Sequence, residues 1–249
     1  MTDALIRTED LTKKFGAVVA VDSVSFELEG GEVRALIGPN GAGKTTLFNL
    51  LTGGLEPTAG DVYFGGRRIT DLSAVEIVER GIARSFQITN IFPEFSVLQN
   101  IKVSLVAEEG NQWDILHNMG GLTHYDDEAM SILERVGLAE IADREAVELS
   151  HGEKRSLEVA VVIARHPEVL LLDEPTAGMS QAEIDELLDL IDELADEFTV
   201  LLVEHNMQVV MSVSDVVMVL HDGQLLAEGE PEQIQQNRRV REAYLGGEV

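Results

Sequence analysis

The sequence predicts an α/β domain built on a mostly parallel β-sheet. Three observations carry this: short β-branched or Leu-rich runs alternate with longer amphipathic stretches, Gly-rich turns separate them, and 249 residues with 45% hydrophobic side chains suffice for a large core. A small stapled fold is excluded at this length.

Arg34 to Ile37, Val169 to Leu172, Thr199 to Val203 and Val216 to Leu220 read as strands. From Glu183, the apolar residues Ile184, Leu187, Leu188, Ile191 and Leu194 recur at helical spacing, with Asp185, Glu186, Asp189 and Asp192 on other faces. That pattern describes a helix lying on the sheet with its acids in water. Between Thr89 and Leu149 the texture changes to helical patterns, with a Gly-rich interruption at Met119 to Gly121 and no convincing strand. Residues 89–149 are therefore expected to form an inserted helical subdomain, and residues 1–88 with 150–249 the domain that holds the sheet. Arg238 to Val249 reads as a short appended helix.

Composition narrows the chemistry. With no cysteine, a disulfide framework, a thiolate metal site and a cysteine nucleophile are all closed. Eighteen basic against 45 acidic residues leave a net charge of −27, which opposes sequence-independent binding to nucleic-acid phosphate. The acids are spread over the whole chain, a pattern expected of a protein adapted to high salt, where a Debye length of about 3 Å at molar ionic strength screens the self-repulsion. The longest apolar runs fall far short of the roughly 20 residues of a membrane span, and the first ten residues do not read as a signal peptide.

Residues 38–45 are Gly38-Pro39-Asn40-Gly41-Ala42-Gly43-Lys44-Thr45, an unbroken G-x-x-x-x-G-K-T between a strand and the helical run that starts at Thr46. Glycines let backbone N–H groups converge on phosphate oxygens at a helix N-terminus, Lys44 reaches the β- and γ-phosphates, and the Thr45 hydroxyl suits Mg²⁺. Further on, the strand beginning at Val169 delivers Asp173 and Glu174 at its carboxyl end, where ligands sit in doubly wound sheets. Asp173 is a candidate to hold Mg²⁺ through its water shell, and Glu174 to orient and polarise the water that attacks the γ-phosphate. Ser150-His151-Gly152-Glu153 opens a helix and is both a capping box and a possible anion site.

In this order and spacing the motifs resemble those of the ATP-binding cassette (ABC) ATPases, and the resemblance covers essentially the whole chain. It implies a P-loop NTPase fold with a mostly parallel central sheet, an N-terminal antiparallel β region and an inserted helical subdomain. By the same resemblance Phe15 stacks on adenine, Gln87 contacts Mg²⁺ or water and links nucleotide to the helical subdomain, and His205 contacts the γ-phosphate. Ser150, His151, Gly152 and Glu153 match the signature loop that completes the opposite subunit's ATP site. Two departures stand out: His151, Gly152 and Glu153 replace the usual two glycines and glutamine, and the loop after Glu174 offers Ser180 where the family has an Asp, in a second capping box with Glu183.

Within the family, the run from Gly81 to Gln87, the Glu204-His205-Asn206-Met207 run and the ending Glu242 to Gly246 resemble the ATPases of branched-chain amino acid importers, with urea and amide importers similar around Leu149 to Glu153. The resemblance implies an ATPase subunit with ATP and Mg²⁺, peripheral at the cytoplasmic face of the membrane. Its partners are a second cassette, in a homo- or heterodimer, two permease subunits and, indirectly, a solute-binding protein. An export ATPase for lipid or polysaccharide, or a soluble non-transport ABC protein, remains an alternative; a single cassette and the lack of a long coiled coil between Lys44 and Ser150 weigh against the latter.

Overall fold

The structure, a computed structural model, describes residues 4–85, 91–108 and 123–244. Its strands are β1 (Ile6–Phe15), β2 (Val18–Leu28), β3 (Val33–Ile37), β4 (Ala59–Phe64), β5 (Arg67–Arg68), β6 (Ile82–Ser85), β7 (Val169–Asp173), β8 (Thr199–Val203), β9 (Val216–His221) and β10 (Gln224–Gly229). The α-helices among the described residues are α1 (Lys44–Leu51), α2 (Ala74–Val78), α3 (Val97–Glu108), α4 (Asp126–Arg135), α5 (His151–Ile163), α6 (Gln181–Ala195), α7 (Met207–Val213), α8 (Pro231–Gln236) and α9 (Arg238–Tyr244).

Two sheets result. One is antiparallel in the order β2-β1-β4-β5; the other runs β10-β9-β3-β8-β7-β6, parallel throughout except where β10 turns back on β9. Strands β3, β7 and β8 are buried along their whole length, as expected for a parallel sheet covered on both faces. Leu170, Leu172, Val200 and Leu202 face a core shared with α5 and α6, whereas Leu171, Leu201 and Val203 face Leu47, Phe48 and Leu51 of α1 and the antiparallel sheet beyond. Burying each such side chain contributes about 1.5–3 kcal/mol relative to leaving it in water.

Helix α6 shows how pattern becomes packing. Ile184, Leu187, Leu190, Ile191 and Leu194 are buried, while Asp185, Glu186, Asp189 and Asp192 are exposed. Its first turn is closed by Ser180, whose Oγ accepts from the Glu183 N–H while the Glu183 carboxylate accepts from the Ser180 N–H at 2.7 Å.

In the described part of residues 91–149, α3 and α4 pack on each other and on α5, and the Ser104 hydroxyl donates to the Val161 carbonyl at 2.6 Å. The β-pairing recorded there is a single bridge between Ser96 and Glu145. Met119 to Gly121 lie outside the described residues, as do residues 245–249 at the end of the chain. Among the described residues, no helix is long and apolar enough to cross a membrane.

Candidate functional site

Strands β3, β8 and β7 are neighbours in the sheet and run in the same direction, so their carboxyl ends open side by side. The Gly38 loop leaves β3, Glu204 and His205 leave β8, and Asp173 and Glu174 close β7. Pairing of Asp173 with Val203 and of Leu36 with Val203 sets the three exits at one level. The sheet topology thus brings together residues more than 160 positions apart.

The loop before α1 is held from both sides. The Ala42 N–H donates to the Pro39 carbonyl at 3.1 Å, and the Gly223 N–H donates to the Ala42 carbonyl at 3.0 Å. Gly43 has φ 104°, and a Cβ there would run into the Ala20 carbonyl, so close approach and left-handed backbone both call for glycine. The buried Lys44 ammonium folds back to donate to the Gly38 carbonyl at 2.6 Å and the Pro39 carbonyl at 3.1 Å. Burial holds the Lys44 pKa below its usual value, and the charges of Glu174 and Asp173 pull the other way.

No side chain caps α1, and no acid sits in its first turn. Helices α2, α5, α6 and α7 instead carry their own caps, from Ser73, Ser150, Ser180 and Asn206. The N–H groups at the start of α1, where Thr45 and Thr46 lie, therefore keep the partial positive charge that favours an anion. Ala20, against Gly43, belongs to the hairpin whose tip carries Phe15; that ring is 48% exposed, with the Lys13 ammonium 5.4 Å from its centroid.

Asp173 is 1% exposed. Its Oδ2 accepts from Arg84 at 2.5 Å, and the same guanidinium donates to Asn49 Oδ1 on α1 at 2.6 Å. Its Oδ1 is buried with no hydrogen-bond partner among the described residues. Glu174 adopts φ 48°, a left-handed conformation that a non-glycine residue holds only when its surroundings enforce it. Its N–H donates to the Val203 carbonyl at 2.9 Å, its carbonyl accepts from Arg155 at 3.2 Å, and its Oε1 stands 2.6 Å from His205 Nε2. An ionised carboxylate only accepts, so that contact places the shared hydrogen on Nε2.

The Ser150 loop meets the Thr176 loop of the same chain. Ser150 Oγ accepts from the Glu153 N–H at 3.2 Å, and the Glu153 carboxylate accepts from the Ser150 N–H at 2.6 Å. The Glu183 carboxylate approaches Gly152 so closely that a Cβ there would stand 2.5 Å from Glu183 Oε1. His151 Nε2 donates to the Ala177 carbonyl at 3.0 Å. The Ser150 N–H holds the Glu153 carboxyl below the usual carboxylate range, and the Ser180 hydroxyl does the same for Glu183. Gln87 lies outside the described residues, at the end of the run that follows β6.

Two residues with prominent contacts carried no assignment in the sequence, Arg84 on Asp173 and Glu204, and Glu183, expected only in the Ser180 capping box, also stands against Gly152. Their signals were faint. Arg84 and Glu204 stand inside runs singled out for other residues, and the approach of Glu183 to Gly152 joins the first turns of two helices about 30 residues apart.

Loop, carboxylates and histidine at the ends of adjacent parallel strands make this a P-loop ATPase fold of the cassette type. The chain belongs to the ABC transporter family, whose sequence model matches residues 21–177. Residues 224–249 match a second model, described as a branched-chain amino acid ATP-binding cassette transporter. The chain is 40% identical, over 99% of both sequences, to the high-affinity branched-chain amino acid transport ATP-binding protein LivG of Salmonella typhimurium, and to its counterpart BraF of Pseudomonas aeruginosa at the same identity and coverage. Among solved structures, the ADP conformation of an ATP-binding cassette of an ABC transporter superposes with a TM-score of 0.88 at 32% identity, covering 98% of this chain and 100% of that one. The chain is accordingly an adenine-nucleotide-binding ATPase.

Proposed function

We propose that this chain is the ATP-hydrolysing subunit of an importer that takes up branched-chain amino acids through separate membrane permeases. The observation that carries the reading is its full-length likeness to LivG and BraF, including a carboxyl end matched by the branched-chain model. In this reading the chain works at the cytoplasmic face of the membrane, paired with a second cassette, on two permease subunits served by a solute-binding protein. Residues 1–88 and 150–249 form the nucleotide-binding core with its C-terminal helix, and residues 89–149 the helical subdomain that meets the permease. Phe92, stacked on Phe95 at 5.1 Å, and Val147 offer exposed apolar surface on that side.

The residues at the strand ends divide the chemistry. Backbone N–H groups of residues 40–46 and the Lys44 ammonium hold the β- and γ-phosphates, and Phe15 stacks on the base. Glu174 takes the proton of the attacking water, and His205 orients that carboxylate and meets the γ-phosphate. The free, buried Asp173 Oδ1 and the Thr45 hydroxyl are hard oxygen donors that fit Mg²⁺, with Gln87 the further candidate. Bound there, the ion supplies charge neutralisation to the transferring phosphoryl group. Arg84 leaves one Asp173 oxygen for that task by occupying the other. Ser150, His151, Gly152 and Glu153 complete the second cassette's ATP site.

The test is uptake of labelled leucine, isoleucine, valine and urea by cells that lack this chain, complemented with the native chain or with Glu174→Gln. Branched-chain uptake restored by the native chain alone supports the reading. Restoration of urea uptake only would reassign the cargo, and restoration of neither would remove the importer role.

A further inference from the structure

Glu204 is a buried carboxylate, 3% exposed, that the proposed chemistry leaves unused. It stands between β8 and α7 and accepts four hydrogen bonds. Oε1 takes the Thr176 N–H at 3.1 Å and the Thr176 hydroxyl at 2.6 Å. Oε2 takes the His205 N–H at 2.9 Å and the Asn206 N–H at 3.2 Å.

These donors belong to two loops. Thr176 lies two residues beyond Glu174 after β7, and His205 and Asn206 follow β8. The loops leave the sheet side by side; past the bond from the Glu174 N–H to the Val203 carbonyl, side chains take over the bracing. One brace is the contact of His205 with Glu174; the other is Glu204, joining the backbone of one loop to that of the other.

The donor set explains why a carboxylate is here. An ionised carboxylate offers four acceptor sites, matching three backbone N–H groups and a hydroxyl. Glutamine would turn one oxygen into an NH₂ facing N–H donors, and aspartate is one methylene too short to span both loops. A buried carboxylate that lost these bonds would be strongly unfavourable, so the group and both loop conformations stabilise one another.

We propose that Glu204 is a positioning residue for ATP hydrolysis, holding the His205 loop in register with the Glu174 loop so that the two side chains meet at the nucleotide. The inference rests on the roles given above to Glu174 and His205. It predicts that Glu204 acts through His205 and leaves ground-state nucleotide binding nearly untouched.

The experiment is steady-state hydrolysis of Mg-ATP by the full-length chain and by Glu204→Gln, His205→Ala and the double variant, with binding of a fluorescent ATP analogue measured alongside. Glu204→Gln is expected to lower kcat about 10- to 100-fold with KM within about threefold, and to add less than about threefold to the loss in His205→Ala. Thr176→Val, which removes one hydroxyl donor and keeps Glu204, is expected to lower kcat about threefold or more at unchanged KM, and it decides the matter if Glu204→Gln does not fold. Native kcat in Glu204→Gln, or in Thr176→Val where that variant decides, overturns the inference while leaving the site intact, provided His205→Ala is inactive. Losses that multiply in the double variant also overturn it. Native turnover in His205→Ala removes the site reading itself, and the role of Glu204 with it.

Discussion

The His205 imidazole and the Glu174 carboxylate stand 2.6 Å apart, although one follows β8 and the other β7. Neither strand alone specifies this contact. It follows from parallel pairing of the two strands, from the left-handed turn at Glu174, which bends its side chain back across the gap, and from the Glu204 bracket beneath.

Exchanging Glu174 for Gln keeps shape and reach but removes the proton acceptor. Turnover is expected to fall about 100-fold or more, within the range ascribed to general-base catalysis, with nucleotide affinity retained. Phosphate release together with analogue binding checks this; full turnover would exclude Glu174 as the base.

Replacing Lys44 by Ala removes the ammonium that now bonds the Gly38 and Pro39 carbonyls. The expected loss in ATP affinity is about 10-fold or more, equivalent to roughly 1.4 kcal/mol or above. Isothermal titration measures it, and native affinity would contradict phosphate binding by this loop.

Gly43→Ala places a methyl group against the Ala20 carbonyl at φ 104°. Backbone strain alone is worth about 1–3 kcal/mol, and relief by loop movement would disorganise the N–H groups at α1. Lower stability in urea and weaker nucleotide binding are expected together.

Glu153 and Glu183 both have pKa values held below the 4.5 of a free glutamate by Ser150 and Ser180. Because the folded values are depressed, the two capping boxes contribute their stability fully above the unfolded pKa and lose it as pH falls through the folded one. Urea midpoints of the native chain should therefore fall below about pH 4.5. In Ser180→Ala, which removes the hydroxyl that lowers the Glu183 carboxyl, that fall should be shallower, starting from a lower plateau at neutral pH. Parallel curves would show that this box does not titrate with unfolding.

A net charge of −27 makes the folded chain repel itself in dilute buffer. Thermal midpoints are expected to rise from low to molar KCl as the screening length shortens to about 3 Å. A higher midpoint in dilute buffer would end the case for salt adaptation.

Much of the sheet was legible because buried parallel strands are short, apolar and bounded by glycine or acid. Thr199–Val203 was read to the residue, Val169 to Leu172 fell one residue short at Asp173, and Ser150 and Ser180 announced their boxes by S-x-x-E spacing. Strands β1 and β2 could not be placed residue by residue, since register shifts between Thr8 and Lys14 break the alternation that marks a half-buried strand. Glu204 was opaque for a different reason. An acid after a strand reads as solvated, and its burial arises only when the Thr176 loop closes over it. The close approach of Glu183 to Gly152 was equally hidden, because it comes from another helix rather than from an unusual φ.

The bare first turn of α1 makes an electropositive port in a molecule whose net charge is strongly negative. A polyanion approaching from bulk solvent is repelled until it comes within a few ångströms of that port, where the local dipole and Lys44 reverse the force. Encounter with the triphosphate should therefore quicken as salt is added, opposite to the behaviour of an enzyme that steers its substrate by long-range attraction. Speed of capture is then expected to follow the ionic medium, and strength of capture the loop.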